Sequence, residues 1–215
     1  MTTKSKLIII TGPSGSGKST LESNLVLGQG FKKLVSFTTR DSRPGEENGK
    51  DYWFVTPLQV EKWEGMNNII EKVNFGGNTY GLLKTELSSV ANGEGPDRVV
   101  VLEPHGVDII TEVCKKGGIP FRLIILIPPL EEVSHRLVKR YMLEGTTDAE
   151  NKLIARLPTL IRECVKFYEE LGAEITWTMR QTWYHEENVR VVEKSALRGE
   201  EEYDKILSWI HSDKP

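Results

Sequence analysis

The residues best equipped for chemistry stand near the start of the chain. Gly12-Pro13-Ser14-Gly15-Ser16-Gly17-Lys18-Ser19 fits the spacing G-x-x-x-x-G-K-[ST]. It follows the apolar run Leu7-Ile8-Ile9-Ile10 and leads into Thr20-Leu21-Glu22-Ser23-Asn24-Leu25. The order is strand, tight loop, helix start. Glycine lets the backbone curl without Cβ clashes, so successive N–H groups can converge on phosphate oxygens. A helix beginning near Lys18 adds unpaired N–H groups and a positive dipole end. Lys18 would reach the outer phosphates, and the Ser19 hydroxyl would help to hold Mg²⁺. The spacing therefore predicts a nucleoside triphosphate site at Gly12, Ser14, Gly15, Ser16, Gly17, Lys18, Ser19 and Thr20. The plainer alternative is a glycine-rich turn without a ligand. The strand before it and the helix after it weigh against that.

Other groups are less decided by spacing alone. Arg40, Arg43, Tyr52 and Tyr80 could form a second anion site, since arginine forks match phosphate oxygens and tyrosine adds neutral donors. A solvated hairpin face fits them equally well. Arg136 and Arg140 share a helix face four residues apart, with Arg156 beyond a break at Gly145. They could neutralise charge on a phosphoryl group in flight. An ordinary charged helix paired with Glu131, Glu132 and Glu144 is the stronger reading of those residues taken alone. Glu71 could accept two parallel N–H bonds from a base edge, but by itself it reads better as a surface glutamate on an alternating strand. The four histidines share no motif, and the five tryptophans read as packing residues.

These residues need elements to hold them. Residues 6–11 read as a buried parallel strand and 17–28 as a helix. Leu34–Phe37 reads as a second strand, followed by a polar, turn-rich stretch that closes on an aromatic strand at 52–55. A short helix over 57–67, a strand over 69–75 and a turn over 76–81 complete a small β-rich lobe, residues 36–83. Helices over 83–90 and 107–116 flank a core strand at 98–103, with Pro104-His105-Gly106 as a turn. Phe121–Ile127 is a third core strand. Helices over 130–141 and 149–171 follow, then a strand at 189–192 and a final helix at 200–211. Strands alternating with helices predict an α/β fold, a mostly parallel sheet with helices on both faces. Ligands then belong at the carboxyl ends of the strands, where Gly12, Glu103 and Pro128 fall.

Composition bounds the reading. A chain of 215 residues suits one α/β domain with small appended lobes. An apolar fraction of 38% and a charged fraction of 27% suit a globular protein. The net charge of -3 gives no basic footprint for nucleic acid. Cys114 and Cys164 lack disulfide or zinc spacing and read as reduced thiols. The four-residue apolar run near the start is too short for a signal peptide or a membrane span, so a cytoplasmic enzyme is expected.

Together these motifs resemble the guanylate kinase family, over Leu7 to about Leu171. The strongest parts are Gly12–Leu21 and the run Ser36-Phe37-Thr38-Thr39-Arg40-Asp41-Ser42-Arg43-Pro44-Gly45-Glu46-Glu47-Asn48-Gly49-Lys50-Asp51-Tyr52. Ile70–Phe75 and Asn78-Thr79-Tyr80-Gly81 are similar to a third family motif. The resemblance implies ATP-dependent phosphorylation of a nucleoside monophosphate, GMP or dGMP, with Mg²⁺ held near Ser19. It implies that Arg40, Arg43, Tyr52 and Tyr80 hold the acceptor phosphate. Ser36 and Glu71 would hold the base, with Leu82 and Glu103 beside them. Lys18, Arg136, Arg140 and Arg156 would act on the phosphoryl groups. It implies one domain over 1–215, with a core of 1–35, 84–139 and 156–215, a monophosphate lobe of 36–83 and a lid of 140–155. The expected partners are the two nucleotides, with no nucleic acid or membrane, in a monomer or homodimer.

The departures are specific. The family's hydroxyl residue after Tyr-Gly, which meets guanine O6, is here Leu82. Its Asp-x-Asp-x-Gln-Gly becomes Val101-Leu102-Glu103-Pro104-His105-Gly106. The lid is longer around Tyr141–Glu144, residues 174–188 form an insertion, and the family's asparagine near the ATP base is not evident. These changes keep alive a kinase of the same fold acting on another or modified nucleotide, or on a sugar phosphate. A non-catalytic protein-binding module is the remaining alternative, and the intact Lys18 and Ser19 argue against it.

Overall fold

The computed structural model describes residues 5–75, 77–93, 95–143, 158, 165, 188–192 and 200–212. The elements run β1 (Leu7–Thr11), α1 (Lys18–Gln29), β2 (Lys32–Lys33), β3 (Phe37–Thr38), β4 (Trp53–Phe54), α2 (Pro57–Gly65), β5 (Ile69–Phe75) and β6 (Asn78–Leu83). Then come α3 (Lys84–Ala91), β7 (Arg98–Val101), α4 (Pro104–Gly117), β8 (Phe121–Leu126), α5 (Leu130–Leu143), β9 (Val189–Val192) and α6 (Glu200–His211). Of the predicted helix over 149–171 only residues 158 and 165 are described, and both are helical; the Gly145 break and the 174–188 insertion lie outside the described residues, except that residue 188 is described.

The strands form two sheets. One has five strands in the order β2-β7-β1-β8-β9, and the other four in the order β4-β3-β6-β5. β2 pairs with β7, and β8 with β9, in parallel. The central strands are mostly apolar because a sheet covered on both faces leaves no wet side: every residue of β1 and β8 is buried, Thr11 and Arg122 among them. Each wholly buried Leu or Ile contributes roughly 1.5–3 kcal/mol relative to exposure. No helix among the described residues is long and apolar enough to cross a membrane.

The chain divides into two compact units, Met1–Ile9 with Glu22–Arg122, and Ile10–Leu21 with Leu123–Pro215. In the first, the expected strand over Leu34–Phe37 is instead the junction between two short strands of different sheets, β2 ending at Lys33 and β3 starting at Phe37. The Leu34 amide donates to Val99 O (2.9 Å), extending the β7 pairing, whereas Ser36 O accepts from Trp53 N (2.9 Å). The backbone changes partners between them, which an unbroken apolar run does not reveal. β3 then pairs in parallel with β4 and antiparallel with β6. Beneath them Phe37, Val60 and Leu83 form a small core, with Val55, Trp63 and Ile69 packed against it. The Phe37 and Trp63 rings meet at 5.4 Å.

Two expected turns are corrected. Residues 78–81, expected within a turn, are strand: Asn78 pairs with Phe75 and Tyr80 with Val73. Pro104-His105-Gly106 is the first turn of α4, because proline's fixed φ and missing N–H suit the first helical position. Gly81 is a position where only hydrogen fits: a Cβ there would collide with Glu71 O and the Phe37 ring. Gly81→Ala is expected to destabilise the protein by roughly 1–3 kcal/mol, read as a lowered denaturation midpoint. An unchanged midpoint would show that the β5–β6 ladder gives way freely.

Candidate active site

The second unit holds the loop between β1 and α1. Gly15 and Gly17 have φ of 82° and 100°, a region that costs side-chain-bearing residues. A Cβ on Gly12 would stand 2.5 Å from Leu126 O and 2.7 Å from Ser16 Oγ, so the loop lies tight on the strand end. The turn is closed by Ser16 N to Pro13 O (3.1 Å). Lys18 Nζ donates to Gly12 O (2.6 Å) and Pro13 O (3.0 Å), folding the side chain across its own loop. The hydroxyls of Thr11 and Ser16 are buried without partners. Ser19 and Thr20 are exposed on the first turn of α1. From α5, Arg136 reaches back: Nη1 donates to Gly15 O (3.3 Å) and Ser16 O (3.4 Å), and Nη2 pairs with Glu132 at 2.9 Å. Arg136 thus makes the helix-face ion pair and a contact with the β1–α1 loop at once. Arg140 lies one turn further along α5, and Arg156 lies outside the described residues.

The first unit gathers the other predicted groups. Arg40, Tyr52 and Tyr80 converge: the Arg40 guanidinium carbon stands 5.0 Å from the Tyr52 ring centroid, and the two tyrosine rings meet edge-on at 6.1 Å. Arg40 is clasped by a residue that motif spacing did not single out. Glu46 takes both guanidinium ends, Nη1 and Nη2, at 2.7 Å each, and accepts the Arg43 backbone N–H at 2.7 Å. Burial alone would raise the Glu46 carboxyl, but the Arg40 and Arg43 hydrogen bonds outweigh it and hold it below the usual range. The second Nη1 hydrogen goes to Asp41 O at 2.8 Å. A guanidinium carries five N–H donors, so the Nε–H and one Nη2–H remain as a second fork. Ser36 stands at the crossing between the sheets, its carbonyl spent on Trp53.

Glu71 is the clearest departure from the bland reading. It is 4% exposed, and its Oε2 is buried with no partner. Burial first, and then the charge of Glu103, push its carboxyl up from the ordinary 4.5 to about 7. Glu103 caps the start of α4 by backbone alone, without a side-chain cap bond. Leu82 is wholly buried and lies opposite Glu71 in the β5–β6 register, so the two side chains share a face. His105 is exposed on the first turn of α4. The close neighbour is Gly106, where a Cβ would fall 2.7 Å from Glu71 Oε1. Gly106→Ala is therefore expected to push the carboxyl aside and raise the KM for the acceptor roughly tenfold, with little change in the KM for ATP. Equal effects on both substrates in initial-rate kinetics would contradict this local account.

A phosphate loop between strand and helix, in a parallel α/β sheet, with an arginine from a following helix on it, defines a P-loop phosphotransferase. The family model for guanylate kinase matches residues 4–171. The guanylate kinase of Sus scrofa is 36% identical over 154 residues, covering 70% of this chain and 72% of that protein. That of Clostridium tetani is 34% identical over 160 residues, covering 74% and 73%. The crystal structure of guanylate kinase from Anaplasma phagocytophilum shares the fold, with a TM-score of 0.60 at 22% identity over 97% of this chain and 85% of that one. The chain belongs to the guanylate kinase family and is an enzyme, a nucleoside monophosphate kinase.

Proposed function

We propose that the chain transfers the γ-phosphoryl group of ATP to GMP, giving GDP and ADP. The observation that carries the acceptor is Glu71, a buried carboxyl with an unpartnered oxygen. Guanine presents adjacent N1–H and N2–H₂ donors that fill such a group. Adenine has no N1–H and leaves it short, at a cost of about 1–3 kcal/mol for the unmet acceptor.

In this reading ATP lies along Gly12–Thr20, its phosphates against the first N–H groups of α1. The free fork of Arg40, with Arg43, Tyr52 and Tyr80, takes the acceptor phosphate. Lys18 and Arg136 offset charge on the transferring group, with Arg140 and Arg156 as further lid cations. Little covalent work falls to the protein; it positions both ends and excludes water. The exposed Ser19 hydroxyl fits a cation ligand. The described residues contain no group of three or more His, Cys, Asp or Glu placed to hold an ion unaided, so Ser19 would share the cation with the phosphates. Bound with ATP, Mg²⁺ would neutralise the β- and γ-oxygens.

The test is ADP formation from ATP against GMP, dGMP, AMP, dAMP, CMP, dCMP, UMP, dTMP and no acceptor. GMP or dGMP should lead clearly. A flat panel, or a lead for another base, would sink the proposal.

A further inference from the structure

Glu22 and Lys33 belong to none of the groups assigned above, yet they reach the acceptor site. Glu22, on α1, is 6% exposed. Its Oε2 lies 2.9 Å from Lys33 Nζ, while Oε1 is buried without a partner. Removing one partner of a buried ion pair leaves the other charge uncompensated, so each holds the other firmly in place. Lys33 ends β2, and its Nζ stands 5.5 Å from the centroid of the Tyr52 ring. Arg40 lies at 5.0 Å from the same centroid. The ring thus meets two cations, one anchored by Glu22 and the other by Glu46. The edge of Tyr80 meets the same ring. Burial, opposed by the Arg40 charge and helped by Glu22, Tyr80 and Glu103, pushes the Tyr52 hydroxyl up to about 12. It therefore stays protonated and able to donate.

We infer that Lys33, anchored by Glu22, is a positioning residue for the acceptor phosphate: it fixes the Tyr52 ring, and so the aim of the Tyr52 hydroxyl. The inference rests on the reading of Tyr52 as a phosphate ligand. It differs from the assigned cations in acting through a ring face, not by touching phosphate. The strength of a lysine over an aromatic face sets the scale of the effect.

The experiment compares wild type with Lys33→Met, Lys33→Arg and the double variant Glu22→Leu with Lys33→Met. The double variant leaves no orphaned carboxylate and keeps the test open where the single one folds poorly. The expected result is a roughly fivefold rise in the KM for GMP in both methionine variants, with kcat and the KM for ATP little changed. Lys33→Arg, which keeps a cation for Glu22 and for the ring, should restore the KM. A folded double variant with the wild-type KM for GMP overturns the inference, as does a rise shared equally by ATP. Wild type inert toward GMP would instead overturn the proposed function, and this inference with it.

Discussion

Lys18→Met should lower kcat with GMP by roughly 10²–10³-fold, the cost of removing one preorganised charge donor at a transferring group. The structure gives two reasons. The ammonium is held ready by Gly12 O and Pro13 O, at 2.6 and 3.0 Å, so it needs no search to reach the phosphates. It also ties the two ends of its loop, so its loss loosens the N–H groups that cradle the nucleotide. Lys18→Arg should rescue little, because a planar fork does not replace a compact ammonium bonded to two carbonyls. Single-turnover rates at saturating ATP, beside a melting curve, would check this. A well-folded Lys18→Met within a few-fold of wild type would remove Lys18 from the chemistry and undermine the phosphoryl-transfer reading itself.

The second large effect concerns Glu71 and has a definite sign. Its carboxyl titrates near 7 in the folded protein and near 4.5 when exposed. The folded state therefore binds the extra proton between those values, and the ligand-free protein loses stability as pH rises through that window. A shift of that size corresponds to on the order of 3 kcal/mol. Glu71→Gln should abolish this part of the slope and leave the ligand-free protein more stable at pH 8. GMP works the other way. Its two donors favour the carboxylate, so its affinity should rise with pH through about 7, with uptake of GMP below that value releasing a proton. Glu71→Gln should lower kcat/KM for GMP roughly 10²-fold, since the amide offers a donor where an acceptor is required. Denaturation at pH 5.5 and pH 8, and calorimetry in buffers of different ionisation enthalpy, measure both halves. Parallel pH slopes for the two proteins would refute the assignment.

Much of the frame was legible in the sequence because it rests on short-range rules. The apolar run into a glycine loop marked β1 and the start of α1. Alternation marked β5 from Ile69 to Phe75, as observed. What stayed hidden depends on partners far along the chain. The passage from Leu34 to Phe37 is one apolar stretch to the eye and two sheets in space. The helix start at Pro104 had its local signal, a proline at the first helical position, but the glycine two residues on read as a turn. That glycine answers to Glu71, over thirty residues earlier, whose carboxyl occupies the space of a Cβ. The burial of Glu71 was likewise invisible to spacing and came only through resemblance. Spacing singles out neither Glu46 nor Glu22, because nothing local names the arginine or the lysine each one holds.

With Arg40 in its proposed role as ligand of the acceptor phosphate, the Glu46 clasp has a kinetic side. A cation already matched to a carboxylate attracts an incoming phosphate less than a bare one does, and loses less when the phosphate departs. The loop keeps its shape through each round, so a departing diphosphate leaves behind a finished receptor. Such an arrangement caps how tightly the product can be retained, and favours throughput over capture.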